Sequence, residues 1–437
     1  MLYYVFKKYS LLIDYKFCKT YDFDKVSLFA KIPLTKDKEN NLANTQRTFF
    51  TINNMEKTEI QNRLSDVKHT AELLRLINDV LASICPSDYR KITLKQLNYF
   101  ANVRGSYTRY MQFNIPKKSG GVRTISAPKK TLKHILRGVN VILQSVFEPS
   151  SYVMGFTPGR SIITNAELHK NSDYVFNIDL KDFFPSINKS RVWVCLTLPP
   201  FNLNSKVADV IAGLCTMKEG EGSDIRYVLP QGAPTSPMLT NIVCRKLDRR
   251  LAGLAKKFNL QYSRYADDIT FSGDKYVFGD NGYFRKELAR IIADQNFIIN
   301  DEKTRLQQYW QRQEVTGLIV SEKVNVPREY IRSLRDILYI WQKYGKTDAE
   351  KKFAEHYSDN KAHMKKPDME MVVRGKLMYL QMVRGFEDLV YLRLQKQFDT
   401  LASPSVRRVK GPINTIDKLL SELVATNFDL NLLDQAL

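Results

Sequence analysis

The chain has 437 residues, 43% of them hydrophobic and 11% aromatic, a composition that supports a folded core and excludes a disordered or low-complexity protein. It carries 67 lysine and arginine residues against 46 aspartate and glutamate residues, a formal net charge of +21 that indicates a polyanionic partner. Five cysteines without a CxxC pair disfavour zinc and disulfide frameworks, and the lack of a run of about 18 apolar residues disfavours a membrane span. We therefore expect a cytoplasmic protein with no membrane partner.

The first part of the chain is predicted to combine helices with a β-hairpin. Residues 1–54 have mixed character and are expected to form an N-terminal extension. Apolar residues at helical spacing predict a helix that begins after Met55 and ends before Pro86. Two alternating segments around the Ser-Gly-Gly turn at 119–121 predict a basic β-hairpin, and a helix is expected over 131–147.

The middle of the chain is predicted to alternate apolar strands with helices, and the last part to be helical. Strands are expected at Tyr174–Leu180, Arg264–Ser272 and Glu314–Val320. Helices are expected at Pro237–Lys257, Tyr283–Gln295, Met369–Val383, Asp388–Leu401 and Thr415–Thr426. The sequence therefore predicts an α+β part up to about Val326, followed by an all-helical part.

Two short segments carry acidic residues that are suited to catalysis. Asp179 lies in the segment FNIDLKDFF, and the adjacent pair Asp267 and Asp268 lies between apolar flanks in YADDITFSG. Like charges at a tight turn repel each other, and a divalent cation is the usual relief. If the fold brings the segments together, three carboxylates would hold two Mg²⁺ for phosphoryl transfer. The alternative is an ordinary solvated Asp-Asp turn, which is the commoner fate of such a pair.

Between the two acidic segments, LPQGAPTSP and the residues after it predict a turn and a helix. Ser236 is expected as the N-cap of this helix and Pro237 as its first residue. Backbone N–H groups at a helix start suit a nucleotide or template phosphate. In isolation, a well-capped amphipathic helix is the simpler interpretation.

Taken in chain order, FNIDLKDFF, LPQGAPTSP and YADD resemble the palm motifs of the reverse transcriptases. The segments FIINDEKT and VTGLIV lie where that family has its later palm motifs and primer grip. The hairpin IPKKSGGVR lies where the family's fingers hold the incoming triphosphate. The resemblance implies a right-hand polymerase fold, with fingers over 55–175, a palm over 176–326 and a helical thumb over 327–437.

Within that family, the chain most resembles the bacterial retron and antiphage-defence enzymes. NAELH at 165–169 is similar to the NAxxH element of retron reverse transcriptases, and VTG at 315–317 is similar to their second signature. Asn165 and His169 lie four residues apart and would share a helix face, where they are expected either to bind RNA or to belong to the scaffold. A satisfied structural histidine is an equal alternative for His169.

The resemblance also implies a metal site and a nucleotide site. Asp179, Asp267 and Asp268 would hold two Mg²⁺, for which Mn²⁺ is a substitute, with the backbone carbonyl of Leu180 as a further ligand. The implied nucleotide-binding residues are Lys117 (with Lys118 as an alternative), Arg123, Asp182, Phe183, Phe184 and Gln231.

Phe184 matches the family's sugar gate, an aromatic ring under the nucleotide sugar. Such a ring leaves no room for a 2′-hydroxyl group and gives it no hydrogen bond, which favours dNTPs over NTPs. The alternative is a core aromatic residue beside Phe183.

Basic residues are predicted to bind RNA through its backbone and 2′-hydroxyl groups. In the fingers these are Arg104, Arg109, Lys129, Lys130, Lys133 and Arg137. In the thumb they are Lys361, Lys365, Lys366, Arg374, Lys376, Arg384 and the cluster of Arg407, Arg408 and Lys410.

The function implied by the resemblance is RNA-directed DNA synthesis in a bacterial cytoplasm, as part of phage defence. The expected partners are dNTPs, a structured non-coding RNA as template and candidate primer, the cDNA product and an effector protein. One alternative is a defence-associated reverse transcriptase outside the retrons, with different priming or repetitive copying. Another is a non-catalytic RNA-binding protein on a polymerase scaffold, against which the intact Asp179, Asp267 and Asp268 argue.

Overall fold

The part of the chain described by a computed structural model comprises residues 57–84, 90–104, 109–116, 121–358 and 368–403. The chain divides into two units, the first ending at Pro327 and the second beginning at Arg328. This division falls one residue after the predicted end of the palm, and the predicted division between fingers and palm stays a prediction. The predicted N-terminal extension and the predicted helix over 415–426 lie outside the described residues.

The first unit begins with helices and a hairpin. Its elements are α1 (57–65), α2 (Thr70–Ile84), α3 (Leu94–Ala101), β1 (Tyr110–Pro116), β2 (Val122–Pro128), α4 (Lys130–Val146) and α5 (Ile162–Glu167). The strands β1 and β2 pair antiparallel, which confirms the predicted hairpin. The single helix predicted between Met55 and Pro86 is wrong. The Glu72 carboxylate accepts hydrogen bonds from the backbone N–H groups of Lys68 (2.7 Å) and His69 (3.1 Å) and starts a second helix there.

The middle of this unit supplies the remaining helices and strands. They are β3 (Tyr174–Asp179), α6 (Lys189–Thr197), α7 (Ser205–Cys215), β4 (Met217–Glu219), β5 (Arg226–Val228), α8 (Ser236–Lys257), β6 (Gln261–Tyr265), β7 (Asp268–Gly273), α9 (Tyr283–Ala293), β8 (Arg305–Gln308), β9 (Glu314–Val315), β10 (Leu318–Val320) and β11 (Val324–Asn325). Within the described residues, none of the helices of the chain combines the length and apolar character needed to cross a bilayer.

A four-stranded antiparallel sheet with the order β6-β7-β3-β8 lies at the centre of the unit. Its two middle strands are apolar and buried because helices cover the sheet, as α8 and α9 do through their buried Leu251, Phe284 and Leu288. The single strand predicted over 264–272 is wrong, since Ala266 takes a left-handed conformation with φ of 58° and the chain turns back as the β6–β7 hairpin.

A second, three-stranded sheet has the order β11-β10-β9. The single strand predicted over 314–320 is therefore also wrong. Thr316 and Gly317 have positive φ values of 49° and 84°, which reverse the chain between β9 and β10. Both errors have the same cause: a two-residue turn between apolar residues does not interrupt the hydrophobic pattern.

The second unit consists of helices in its described part. They are α10 (Arg328–Tyr344), α11 (Lys346–Ser358), α12 (Met369–Arg384) and α13 (Leu389–Ala402). Leu338 and Trp341 of α10, Leu377 of α12 and Phe398 of α13 are buried in this unit. The rings of Trp341 and Phe398 meet edge to face with centroids 5.9 Å apart. The helical nature predicted for this part of the chain is confirmed.

Candidate active site

The strand ends that carry the three predicted catalytic aspartates meet in the central sheet. Strands β3 and β7 pair so that Asp179 lies opposite Asp268. The backbone N–H of Leu180 donates to the carbonyl of Asp267 over 3.2 Å. Opposite residues in an antiparallel pair have Cα atoms about 4.5–5.5 Å apart. Two segments that are distant in the sequence therefore place three carboxyl groups at one end of the sheet.

The turn at Ala266 and Asp267 packs against the loop that follows α4. In that loop, the backbone N–H of Met154 donates to the carbonyl of Arg264 over 2.8 Å. A Cβ atom on Gly155 would lie only 2.6 Å from the backbone nitrogen of Ala266, so a glycine is required for this approach. Burial and then the charge of Asp268 raise the pKa of Tyr265, the residue before the turn. We call Ala266 and Asp267 the catalytic turn after the predicted role of Asp267. This turn is closely packed against the backbone of the loop that follows α4.

The carboxylate of Asp179 is engaged by two side chains of the segment after α9. The ammonium group of Lys303 lies 2.9 Å and 3.0 Å from its two oxygens, and the amide Nδ2 of Asn300 donates to Oδ2 over 3.1 Å. The Asp179 side chain is 11% exposed and that of Lys303 is 56% exposed. Lys303 therefore compensates the charge of a largely buried carboxylate that lies opposite Asp268.

The donor atoms at this end of the sheet suit a hard divalent cation. The strand pairing brings the positions of Asp179 and Asp268 together, with Asp267 in the adjoining turn, and the buried Oδ1 atom of Asn300 has no hydrogen-bond partner. Oxygen donors of this kind are those that Mg²⁺ prefers. As the side chains lie, the residues that the structure describes contain no cluster of three or more His, Cys, Asp or Glu side chains that could hold a metal ion.

The turn around Gln231 links the hairpin to the segment after Asp179. The backbone N–H of Ser126 in β2 donates to the carbonyl of Gln231 over 2.9 Å, and the N–H of Leu229 donates to the carbonyl of Ile187 over 2.9 Å. The N-cap predicted at Ser236 is wrong. Its hydroxyl group donates to the carbonyl of Pro230 over 2.8 Å, Thr235 takes the cap position without a side-chain cap bond, and Ser236 is the first helical residue.

Phe184 is 8% exposed and lies among other aromatic rings. Its ring centroid is 5.6 Å from that of Phe183 and 6.5 Å from that of Phe156. Phe156 follows Gly155 in the loop that encloses the catalytic turn, and its own φ is 59°. Asp182 has a φ of 43°, so the chain leaves the β3 direction before it reaches the two rings. The ring of Phe156, in the loop that follows α4, therefore packs beside the ring of Phe184.

Comparisons with known proteins give the family. Residues 115–325 match the family model described as reverse transcriptase (RNA-dependent DNA polymerase). The retron Mx65 reverse transcriptase of Myxococcus xanthus is 40% identical over 240 residues, which are 53% of this chain and 55% of that protein. The retron Mx162 reverse transcriptase of the same organism is 35% identical over 276 residues, 57% of this chain and 56% of that protein.

A third relative decides the assignment. The retron Ec86 reverse transcriptase of Escherichia coli is 34% identical over 248 residues, which are 56% of this chain and 72% of that protein. The chain belongs to the retron reverse transcriptases. This confirms the predicted α+β class and right-hand polymerase fold with a helical thumb. The chain spans little more than half the length of the Mx65 and Mx162 relatives, at 55% and 56%.

One solved structure is also similar. It is the telomerase of Candida albicans in complex with a fragment of telomeric RNA, at 9% identity and a TM-score of 0.37, covering 76% of this chain and 68% of that one. The family assignment rests on the retron relatives.

Two residues of the retron-like NAELH segment, Asn165 and His169, lie in the interior of this reverse transcriptase. His169 is fully buried, with its ring nitrogens 2.8 Å from the hydroxyl of Ser272 and 2.7 Å from that of Ser263. Burial lowers the pKa of His169 to about 3, so the ring is neutral. Asn165 is 1% exposed, and its Nδ2 lies 3.4 Å from the hydroxyl of Thr316 in the VTG turn. The predicted RNA contact has no exposed atoms to make it, and the scaffold alternative is the one that this geometry favours.

Several basic residues predicted to bind RNA are engaged inside the protein. Arg109 is 2% exposed and donates to the carbonyls of Gly213, Leu214 and Thr216 at the end of α7, so the contact predicted for it is wrong. In the thumb, Lys376 donates to the hydroxyl of Ser333 over 2.8 Å. Burial lowers the pKa of this lysine.

Other predicted site residues stay predictions. The Nε atom of Arg384 donates to Asp388 over 2.8 Å, with both side chains 15% exposed. Arg123 lies on β2 opposite Ile115. Lys117, Lys118, Lys361, Lys365, Lys366, Arg407, Arg408 and Lys410 lie outside the described residues.

Sequence reasoning missed three residues of this site. Lys303 and Asn300 lie in the FIINDEKT segment, more than 120 residues after Asp179, and no spacing rule links them to it. The sequence signal for Lys303 and Asn300 was weak, because it consisted only of polar residues directly after an apolar stretch in a motif assigned to the palm. Phe156 is an aromatic residue beside a glycine in an irregular loop, a pattern that carries no signal in a single sequence.

Proposed function

We propose that this chain is an RNA-directed DNA polymerase that copies part of a structured non-coding RNA into cDNA from dNTPs. The observation that carries the proposal is the pairing of Asp179 opposite Asp268, with Asp267 in the adjoining turn. Carboxylates on neighbouring strand ends are suited to hold cations at a phosphoryl-transfer site. The relatives named above are reverse transcriptases by name, which supports the same reaction.

Asp179, Asp267 and Asp268, together with the carbonyl of Leu180, would hold two Mg²⁺, or Mn²⁺ in their place. Bound divalent cations supply Lewis-acid chemistry, by activating a 3′-hydroxyl group and stabilising the charge of a leaving pyrophosphate. Because Lys303 lies against the carboxylate of Asp179, cation binding requires Lys303 to withdraw. Its side chain is more than half exposed and has room to do so.

The nucleotide would lie between the hairpin and the catalytic turn. Arg123, on β2, is the described candidate for the triphosphate, and Lys117 is the predicted one beyond the described residues. Gln231 is bonded through its carbonyl to Ser126 of the same strand, which supports a place beside the incoming base. Phe184, backed by Phe156, would exclude a 2′-hydroxyl group.

Among the thumb residues that the structure describes, the exposed face of α10 is suited to RNA. It carries four basic residues and a tyrosine that recur at spacings of three and four, namely Arg328, Arg332, Arg335, Tyr339 and Lys343. At 3.6 residues per turn these side chains share one face, about 22 Å long, opposite the buried Leu334 and Leu338. A row of cations of this length suits the phosphates of an RNA strand or an RNA–DNA duplex. We therefore propose this face of α10, in place of Lys376, as the part of the thumb that binds RNA.

The role in the cell belongs to the same proposal. We place the enzyme in the bacterial cytoplasm, where its cDNA and RNA would act with an effector protein in phage defence. Membership of the retron reverse transcriptases supports this proposal.

Primer extension on an RNA template tests the proposed reaction. The purified chain should incorporate dNTPs in the presence of Mg²⁺, and Asp267→Ala/Asp268→Ala should incorporate none. The double variant should keep the wild-type circular dichroism spectrum and RNA affinity, because it removes two negative charges at the end of the sheet and shortens no residue of the hydrophobic core. Extension by the double variant at the wild-type rate would reject the proposal. Sequencing the nucleic acid that copurifies with the chain identifies the template and separates a defined copy from repetitive copying.

A further inference from the structure

A network of buried polar contacts in the first unit centres on Arg264, the residue two positions before Ala266. Its side chain is 0% exposed, and that of its partner Asp248 is 2% exposed. The guanidinium fork binds the carboxylate in a bidentate manner, with Nε to Oδ1 at 2.6 Å and Nη2 to Oδ2 at 2.7 Å. A buried pair of this kind needs further hydrogen bonds to offset the cost of removing both charges from water.

Those further bonds lead to the catalytic turn. Nη1 of Arg264 donates to the carbonyl of Ala266 over 3.1 Å, and Nη2 also donates to Oδ1 of Asn241 over 3.1 Å. The amide of Asn241 in turn donates to the carbonyl of Gly155 over 3.0 Å. One guanidinium group therefore joins helix α8 to the residue before Asp267, and Asn241 joins the same helix to the loop that packs on that residue.

Ala266 needs such support. Its φ of 58° lies in the left-handed region, which an alanine enters at a cost because its Cβ atom crowds the following carbonyl. Ala266 is fully buried, so water cannot hydrogen-bond to its carbonyl in place of Arg264. The conformation of this residue sets the direction in which the chain delivers Asp267 and Asp268.

We propose that Arg264, held by Asp248 and Asn241, is a positioning residue that fixes the left-handed conformation of Ala266 and so aims Asp267 and Asp268 at their shared cation site. The network acts through the backbone and does not touch the substrate. It also ties the aspartates to α8, the helix that follows the Gln231 turn, so the cation site and the nucleotide-facing turn share one rigid support. This inference rests on the proposed function, because it assumes that the aspartates bind cations.

The test compares Arg264→Lys with Tyr262→Phe. A lysine keeps the positive charge beside Asp248 but cannot bond Asp248 and the Ala266 carbonyl together. Tyr262 donates to the same Oδ1 of Asp248 over 2.8 Å, so Tyr262→Phe removes a buried hydrogen bond from the same carboxylate and leaves Arg264 and Ala266 in place. Mn²⁺ binding is measured by electron paramagnetic resonance, and the part lost in Asp267→Ala/Asp268→Ala defines the site.

We expect Arg264→Lys to raise the Kd for Mn²⁺ about tenfold, the equivalent of one lost hydrogen bond to a charged group. Its kcat should fall while its KM for dNTP stays near the wild-type value, since the nucleotide contacts are unchanged. Tyr262→Phe should lower the melting temperature and leave the Kd for Mn²⁺ at the wild-type value. Equal Mn²⁺ affinity in Arg264→Lys and wild type would overturn the proposal, as would equal losses in both variants.

Asn241→Ala covers the case in which Arg264→Lys does not fold. This variant keeps the ion pair and removes one acceptor of Arg264 and the bond to Gly155, so a smaller loss of Mn²⁺ affinity is expected. Wild-type Mn²⁺ affinity in Asn241→Ala would then overturn the positioning role. Failure of the proposed function is distinct, because it shows as a wild-type chain that incorporates no dNTP.

Discussion

The palm and the thumb use their charged residues in opposite ways. In the palm, charged residues near the catalytic turn are paired with each other: Arg264 with Asp248 in the interior, and the largely buried Asp179 with the more exposed Lys303. In the thumb, the basic residues of α10 form an exposed row, whereas Lys376 is directed at Ser333 of the same unit. The net charge of +21 adds buried and exposed charged residues together, so it does not indicate which residues contact RNA.

The comparison also shows what a polar residue contributes in each setting. In the palm interior, a buried charge or imidazole ring bonds to protein groups, as Arg264 does to the carbonyl of Ala266 and His169 does to two serine hydroxyl groups. On the thumb, an arginine keeps its hydration and remains available to a phosphate. Variants of the palm interior should therefore change cation affinity and stability, and variants of the α10 face should change salt-dependent binding.

The largest effect is expected from Phe184→Ala. The cavity would admit a 2′-hydroxyl group, and the ratio of dNTP to rNTP efficiency should fall by about 10-fold to 200-fold, the scale of one to three kcal/mol for a packed pocket. Phe156→Ala, which removes the ring beside it, should shift the ratio in the same direction by less. Steady-state kinetics with both nucleotide classes measures this. An unchanged ratio in Phe184→Ala would make Phe184 a core residue and place the gate elsewhere.

A second effect concerns the buried imidazole ring in the palm. The pKa of His169 is about 3 in the folded chain and about 6.5 in the unfolded chain, so below pH 6.5 protons bind to the unfolded state. Its contribution to stability is complete above pH 6.5 and is lost as the pH falls toward 3. Between pH 7 and pH 5 the wild type should lose about 2 kcal/mol more unfolding free energy than His169→Gln. Urea unfolding at several pH values checks this, and parallel curves for the two proteins would contradict it.

The smallest effect is expected on the thumb surface. Arg332→Ala/Arg335→Ala removes two exposed cations from α10 and should reduce the slope of log affinity against log salt by nearly two units. Lys376→Ala/Arg384→Ala removes the same charge and should change the slope less, because Lys376 is turned inward and Arg384 is paired with Asp388. Filter binding to RNA at several salt concentrations gives both slopes, with circular dichroism as the check on folding. If Lys376→Ala/Arg384→Ala reduced the slope as much as Arg332→Ala/Arg335→Ala, the distinction between engaged and exposed basic residues would be contradicted.

The catalytic end of the palm was predictable because its chemistry lies in short motifs. FNIDLKDFF and YADD carry their aspartates within apolar strands, and such strands must be central in a sheet. The structure pairs Asp179 with Asp268, which brings the two motifs together, while their binding of metal stays a prediction. The basic hairpin was equally accessible, since two alternating segments around a glycine turn have few other solutions.

The supporting residues were not predictable for physical reasons. Arg109 and Arg264 look like any other arginine in a basic chain, and only burial shows that one caps a helix and the other braces a turn. His169 could serve RNA or the scaffold on sequence grounds, and two serine hydroxyl groups more than 90 residues away decide between them. Long-range contacts of this kind leave no periodic trace in the sequence.

The order of strands in the central sheet has a consequence during synthesis of the protein. Of the four strands of this sheet, β3 leaves the ribosome first. It becomes a middle strand, and both of its partners, β7 and β8, are made much later. At about 5 to 20 residues per second, the apolar segment around Phe176 waits roughly 5 to 20 seconds for β7 and longer for β8. An unpaired apolar strand is prone to associate with other chains during this interval. The yield of folded enzyme should therefore depend on chaperone supply and translation rate more than the stability of the finished sheet suggests.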